Sequence, residues 1–480
     1  MSTWALKLYN RVPPPARSIL ASLHGYYLRW WRYDAGTDAL IGHALERDLW
    51  SPEQWRRWQS ERLSYLLHRA ATRVPFYRDH WQQRRQRGDR ASWSYLQNWP
   101  ILEKEAVRRN PNAFIADDRK ISSLYHLHTS GTTGKPIELW RGRETSRNWY
   151  ALFEARTRGW QGIAREQRWA IFGGQLVAPF AQRRPPFWVW NTALNQLYMS
   201  SYHLSPEFSD AYLMALAKYK VRYLVGYTSA LFALAQSVVR SGRPRTPMEA
   251  VITNAEPLFE YQRETISNAF ACAVRETYGM TELVAAASEC RHGCLHLWPE
   301  AGVVETLDGD GNEVRGRSSD LICTGLINDD MPLIRYRVGD RGTLPEAEKA
   351  CDCGRGLPQI ESIDGRADEV VITRDGRRVG RLDPVFKGGL PLIEAQIVQQ
   401  TVEKIVVRFV PAEDYTPAAG QLIISRLRER VGPVDVKLEA VRRIPRGANG
   451  KFRAVVSLVS SSELESCPVS ETGSNQARSF

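Results

Sequence analysis

The chain of 480 residues contains no run of about eighteen consecutive apolar residues and no signal-peptide pattern at its start. A membrane-spanning helix is therefore not expected, export is not indicated, and the expected address is the cytoplasm. It also lacks a long basic block and any nucleic-acid-binding motif. The net charge of +12 is spread as Lys and Arg among Asp and Glu, so no nucleic-acid partner is expected. Cysteine is sparse, with seven residues, yet Cys290/Cys294 and Cys351/Cys353 lie in close pairs. In a reducing compartment such clustering suggests a metal before a disulfide. An apolar content of 43% is ordinary for a soluble globular protein, and the length predicts two domains.

What the chain does have is a phosphate-type loop, Thr129-Ser130-Gly131-Thr132-Thr133-Gly134-Lys135-Pro136. Glycines let main-chain N–H groups approach phosphate oxygens, the hydroxyls add donors, and Lys135 adds a charge. The pattern is built to wrap the polyphosphate of a nucleotide. It is not a Walker loop, because only Thr132 and Thr133 separate the glycine from Gly-Lys and Pro136 follows the lysine. Proline disfavours helix for itself and for Lys135, so the loop exits extended through Ile137-Glu138-Leu139-Trp140.

Around the loop, helical signals give way to strand and helix in alternation. Ser51-Pro52-Glu53-Gln54 combines an N-cap, a proline at the first helical position and a capping-box glutamine. Ser205-Pro206-Glu207 opens a further helix. Strands are predicted at 223–227, 250–253 and 273–277, with helices at 229–239 and 258–270 between them. Short apolar strands joined by helices give an α/β fold with a largely parallel sheet. In such sheets ligands collect where strands end, and Asn254-Ala255-Glu256-Pro257 and Tyr278-Gly279-Met280-Thr281-Glu282 occupy that place.

Those segments stand in order with Tyr336-Arg337-Val338-Gly339-Asp340, Gly365-Arg366-Ala367-Asp368-Glu369 and Gly447-Ala448-Asn449-Gly450-Lys451-Phe452-Arg453. Together they resemble the adenylate-forming superfamily of acyl-CoA synthetases and ligases, in the phenylacetate-CoA ligase-like branch that includes capsule- and exopolysaccharide-associated members. The resemblance implies a large α/β adenylation domain over 46–364 with a helical entry, a smaller mobile α/β domain over 365–460, an arm over 1–45 and a disordered tail over 461–480. It implies that ATP, Mg2+ and CoA are used. Asn254 to Pro257, Tyr278 and Gly279 would flank the nucleotide, Thr281 would touch the α-phosphate, and Glu282 would hold Mg2+. Asp340 would accept from the ribose hydroxyls, although an Asp after a glycine in a turn is the bland alternative. Arg366 would lie near the nucleotide, with Asp368 as hinge, and Lys451 would bridge carboxylate and phosphate when the small domain closes.

Six soft ligands, Cys290, His292, Cys294, His296, Cys351 and Cys353, are available to a tetrahedral Zn2+ site. The resemblance favours Cys290, His296, Cys351 and Cys353, with a structural role. Candidate acid-pocket residues are Trp188, Trp190, Tyr202, His203, Tyr227 and Ala285 to Ala287, with His203 between acid and acceptor channels as a catalytic candidate. The arm mixes aromatic rings with arginines over Tyr26 to Tyr33, which suits either peripheral membrane contact or packing on its own domain. The expected reaction is activation of a carboxylic acid as acyl-AMP followed by transfer to CoA. An adenylyltransferase, transfer to a non-CoA acceptor and a non-catalytic membrane scaffold are the alternatives.

Overall fold

The computed structural model describes residue 9 and residues 12–459 apart from 130–136, 176, 180–181, 243–244, 367–370, 375–377, 380–381, 387–389 and 447–451. The chain divides into two compact units, the larger reaching Asp364 and the smaller beginning at Gly365. In the larger, α1 (Pro14–Arg32), α2 (Thr37–Arg47), α3 (Pro52–Arg73), α4 (Pro75–Gln86) and α5 (Lys104–Arg109) precede a hairpin of β1 (Tyr125–His128) and β2 (Glu138–Arg141). The capping box of α3 forms as predicted. Gln54 N–H donates to Ser51 Oγ at 3.2 Å and Ser51 N–H to Gln54 Oε1 at 2.9 Å. The helix buries Trp55, Leu66, Leu67 and Ala70, spaced to share one face.

After α6 (Arg143–Phe153) come β3 (Trp169–Gly173), β4 (Trp188–Asn191), β5 (Gln196–Ser200), α7 (Ser209–Lys218), β6 (Tyr223–Tyr227), α8 (Thr228–Arg240), β7 (Ala250–Asn254), α9 (Glu260–Phe270) and β8 (Val274–Gly279). Strands β5, β3, β6, β7 and β8 pair in parallel, as the crossover helices require. The sheet is mixed at its flanks. β4 runs antiparallel at one edge, and β9 (Ala286–Glu289), β10 (Leu295–Leu297) and, further along, β14 (Gln359–Ile360) run antiparallel beyond β8. The α7 helix starts later than predicted, because Pro206–Phe208 forms a 3-10 turn first. Ser205 does not cap it: its carbonyl accepts from Ser209 Oγ at 2.8 Å.

A second sheet holds β11 (Gly302–Leu307), β12 (Ser319–Gly325), β13 (Tyr336–Thr343) and β15 (Ser362–Arg366), the last carrying the chain into the smaller unit. There β16 (Val371–Ile372) and β17 (Arg378–Val379) pair. A four-stranded sheet is built from β18 (Leu392–Thr401), β19 (Lys404–Pro411), β20 (Asp435–Ala440) and β21 (Val455–Ser457), in the order β20-β19-β18-β21. The helix α10 (Pro417–Val431) makes the crossover between the parallel strands β19 and β20. It buries Ile423, Leu427 and Val431 against Ile397, Ile405 and Val407. Among the described residues no helix is long and apolar enough to cross a membrane.

Residues of the arm are integral to the larger unit. Ser18 Oγ accepts from Trp190 N–H at 3.2 Å and Ser22 Oγ from Thr192 N–H at 3.1 Å, so α1 lies along the edge strand β4. A helix over an open sheet edge removes a template for unwanted pairing.

Candidate active site

The predicted phosphate loop is anchored by the β1–β2 hairpin. Residues Ser130, Gly131, Thr132, Thr133, Gly134, Lys135 and Pro136 lie outside the described residues. Thr129 is described: its N–H donates to Ile137 O at 2.9 Å, and its Oγ1 accepts from Ile137 N–H at 3.0 Å. The strand expected after Pro136 is β2, paired Leu127↔Leu139 with β1. Lys451 and the hinge residue Asp368 also lie outside the described residues, as do the side chain of Arg366 and the tail over 461–480.

Two of the proposed nucleotide segments sit at the ends of neighbouring parallel strands. Asn254 closes β7, and Ala255 takes a left-handed turn with φ 62°. Glu256 then folds back onto α8, accepting from Ser229 N–H at 2.8 Å and Ser229 Oγ at 3.1 Å. A carboxylate on the first N–H groups of a helix satisfies donors that have no partner within it. On the adjacent β8, Tyr278 and Gly279 are the last strand residues. Thr281 and Glu282 follow in a turn.

Glu282 and Asp340 are the two carboxylates the reading depends on, and each is held by a tyrosine from the other's segment. Tyr278 Oη donates to Asp340 Oδ2 at 2.9 Å, and Tyr336 Oη donates to Glu282 Oε1 at 3.1 Å. Burial, then the neighbouring Asp340 carboxylate, push the Tyr278 phenol well above its ordinary range, so it stays a donor. Lys104 Nζ lies 3.8 Å from Glu282 Oε1, a partner from α5 that sequence reasoning missed. Nothing in Glu103-Lys104-Glu105 signals it. Asp340 is not in a turn. It lies within β13, where the ladder advances two residues on β12, Asp320 to Ile322, against four on β13, Arg341 to Arg337. Gly339, at φ 81°, supplies the backbone freedom for that bulge, which re-aims the side chain after it.

The structure brings Cys290, His296, Cys351 and Cys353 together with all four ligand atoms within 4.8 Å of one another. His292 is exposed and bonded by Arg291 at 3.1 Å, outside the group. Cys290 Sγ and Cys351 Sγ are 3.6 Å apart, far beyond a disulfide, and Cys353 Sγ is 3.4 Å from His296 Nε2. A tetrahedron with Zn–S near 2.3 Å has sulfurs about 3.8 Å apart, so the cluster fits Zn2+. His296 Nδ1 meets Leu357 O at 3.2 Å, a backbone contact that turns Nε2 inward.

The acid-pocket candidates separate. Trp188 packs edge-on to Tyr212 at 5.6 Å and Trp190 stacks on Tyr219 at 5.3 Å, both on the face of the sheet that carries α7. Ala285 and Ala287 are buried in one core cluster and Ala286 in another. Only Tyr202 of these candidates lines the large cavity on the opposite face, beside Asn254. His203 meets Ser200 Oγ through Nδ1 at 2.8 Å and Pro179 O through Nε2 at 3.1 Å, and it stacks on Phe187 at 4.6 Å. Both ring nitrogens are occupied, which suits a positioning role for this loop. Tyr227 has its phenol pushed up to about 12 by burial and then by Glu256.

This architecture is that of the adenylate-forming CoA ligases. It superimposes on 2-hydroxyisobutyryl-CoA ligase in the postadenylation state with 2-HIB-AMP at a TM-score of 0.65, with 18% identity, over 87% of this chain and 92% of that one. The same enzyme with 2-HIB-AMP and CoA in the thioesterification state gives 0.52, with 20% identity, over 86% and 91%. Residues 371–458 match the CapK C-terminal domain. Protein CapK of Staphylococcus aureus is 25% identical over 94% of this chain and 98% of its own length. The phenylacetate-coenzyme A ligase of Thermus thermophilus is 24% identical over 85% of this chain and 97% of its own. The chain is thus similar to CapK and to phenylacetate-coenzyme A ligases over 85% or more of its length, and it shares the fold of the adenylate-forming CoA ligases.

Proposed function

We propose that the protein is an acid–CoA ligase that activates a carboxylic acid with ATP and passes the acyl group to a thiol. The observation that carries this is the reciprocal pairing of Tyr278 with Asp340 and of Tyr336 with Glu282, which readies two carboxylates beside a strand-end nucleotide site. The acid's carboxylate oxygen attacks the α-phosphorus, the bond to pyrophosphate breaks, and acyl-AMP forms. The thiol then attacks the acyl carbon, loses its proton and releases AMP. Asp340 accepts from the ribose diol, and Thr129 to Lys135 cradle the departing phosphates. Thr281 donates to the α-phosphate. Glu282 would hold Mg2+, which would neutralise charge on the phosphate oxygens. Lys451 acts on charge that develops in the transition state. Arg366 and Asp368 would form the hinge, and Zn2+ on the Cys290 cluster would tie the segment after β9 to the one before β14.

Pyrophosphate release across carboxylic acids tests this, with and without CoA. Lys451→Ala should slow release by at least about a hundredfold with ATP affinity largely kept, because the lysine acts on the transition state. Equal rates would remove it from catalysis. The similarity to CapK over nearly the whole chain favours keeping a second acceptor in the assay. Release without thioester formation would assign the enzyme to adenylyl transfer or to a non-CoA acceptor.

A further inference from the structure

The larger unit holds a partly open cavity of about 1350 Å3, above the ~300–1,000 Å3 of ordinary ligand sites. Its floor follows from strand alternation. Ala170, Phe172, Leu197, Met199 and Leu224 point into the core under α7, α8 and α9, so their neighbours face the other way. Cross-strand register sorts those neighbours into rungs. Ile171, Tyr198, Val225 and Val189 form a middle rung, and Trp169, Gln196 and Asn191 a far one. From Trp169 to Gly173 the floor runs roughly 13 Å at about 3.3 Å per residue. The roof is α1, with Leu20, His24 and Leu28 lining the space. It sits close because residue 25 is glycine: a Cβ there would come within 2.1 Å of Asn191 Oδ1.

The two ends differ chemically. At the near end, Gly174, Gln175, Tyr202 and Asn254 line the cavity beside the proposed nucleotide site. The middle rung is apolar apart from the Tyr198 hydroxyl, which accepts from Gln175 N–H at 3.2 Å. At the far end, two buried polar atoms have no hydrogen-bond partner among the described residues: Asn191 Oδ1, an acceptor, and Arg158 Nε, a donor. Arg158, 3% exposed, sits with its guanidinium 4.6 Å from the Trp169 ring. Neither atom has surface open to the cavity, so neither is available to a ligand group.

We infer that the acid is elongated, with its carboxylate at the Asn254 end and an apolar shaft along the middle rung. The direction of the acid rests on the adenylation reading above. A compact acid such as phenylacetate would leave the middle rung without contacts. Each methylene of shaft buried there should raise affinity roughly fourfold.

The test has two independent readouts on the full chain. Pyrophosphate release is measured with acetate, hexanoate, dodecanoate, ω-hydroxydodecanoate and phenylacetate, and displacement of a fluorescent fatty-acid probe is measured without ATP. The expected order has dodecanoate and ω-hydroxydodecanoate above hexanoate and phenylacetate by at least about tenfold in kcat/KM. Ile171→Trp, or Val225→Phe should the first fail to fold, should lower the dodecanoate-to-hexanoate ratio by at least about tenfold. Highest turnover with acetate or phenylacetate, or an unchanged ratio in both variants, overturns the inference while adenylation stands. No release with any acid, but probe displacement by dodecanoate that weakens in Val225→Phe, keeps the channel and overturns adenylation. Absence of both release and displacement overturns both.

Discussion

Replacing Arg156 with methionine should destabilise the larger unit by about 3 kcal/mol. The guanidinium has no exposed side-chain surface and sits between two carboxylates that are almost as buried. It donates to Asp48 Oδ1 at 2.8 Å and to Glu300 at 2.6 and 3.0 Å. Removing one partner of a buried ion pair costs about 3–5 kcal/mol, because the other charge stays behind. The lower end applies here. Glu300 keeps Arg47 Nε at 2.9 Å and Asp48 keeps Trp160 Nε1 at 2.7 Å. Burial alone would raise the Glu300 carboxyl, but Arg156 and then Arg47 outweigh it and the net shift is downward. A depressed carboxyl contributes stability above its unfolded value, near pH 4.3, and loses that stability as pH falls through the folded value. The deficit of Arg156→Met should thus be largest near neutral pH and shrink on acidification, where protonation removes the stranded charge. Urea unfolding followed by tryptophan fluorescence between about pH 4 and 7 measures this, and adding Glu300→Gln should restore at least about 1 kcal/mol. A loss under about 1 kcal/mol, or one constant across that range, would refute the reasoning.

Two further predictions concern the metal cluster and the helix α1. Protein purified without chelator should carry stoichiometric zinc, and Cys351→Ser with Cys353→Ser should abolish it and lower the thermal midpoint; metal analysis finding none would overturn the site. On α1, Ile19 is 62%, Leu23 62%, Tyr26 56% and Trp30 52% exposed, spaced to form one stripe, and no acidic residue occurs before Asp34. We propose that this stripe contacts anionic lipid. Leu23→Glu with Trp30→Glu should abolish co-sedimentation with phosphatidylserine vesicles while leaving the melt close to wild type, and wild-type protein that never pellets would exclude it.

Local chemistry made much of this molecule legible. Proline after Lys135 dictated the extended exit now seen as β2, and Ser51 with Gln54 fixed the start of α3. The failures came from facing and from distance. Trp188 and Trp190 alternate with Val189, so the sequence places them on one face but does not say which. Their register with Met199 and Leu197 puts them on the α7 side. Arg156, Asp48 and Glu300 come from three distant segments, and no spacing rule joins them. The arm's exposed aromatics suggested a surface element, whereas Gly25, the feature that lets α1 seat on β4, carries no pattern of its own.

Why Tyr278 and Tyr336 should belong with Glu282 and Asp340 also becomes a physical question once the strands are paired. Each carboxylate is largely withdrawn from water and needs a donor that does not cancel its charge. A lysine or arginine in direct contact would serve stability but would compete with a cation or a ribose for the same oxygens; Lys104 stands off from Glu282 Oε1 at 3.8 Å, and the Tyr336 hydroxyl makes the closer contact at 3.1 Å. A tyrosine hydroxyl donates one hydrogen bond and leaves the carboxylate negative. Because each tyrosine comes from the other carboxylate's segment, the β8 end and the β13 bulge are held in register by the same bonds that orient the two acids. Displacement of either segment would therefore disturb both carboxylates together.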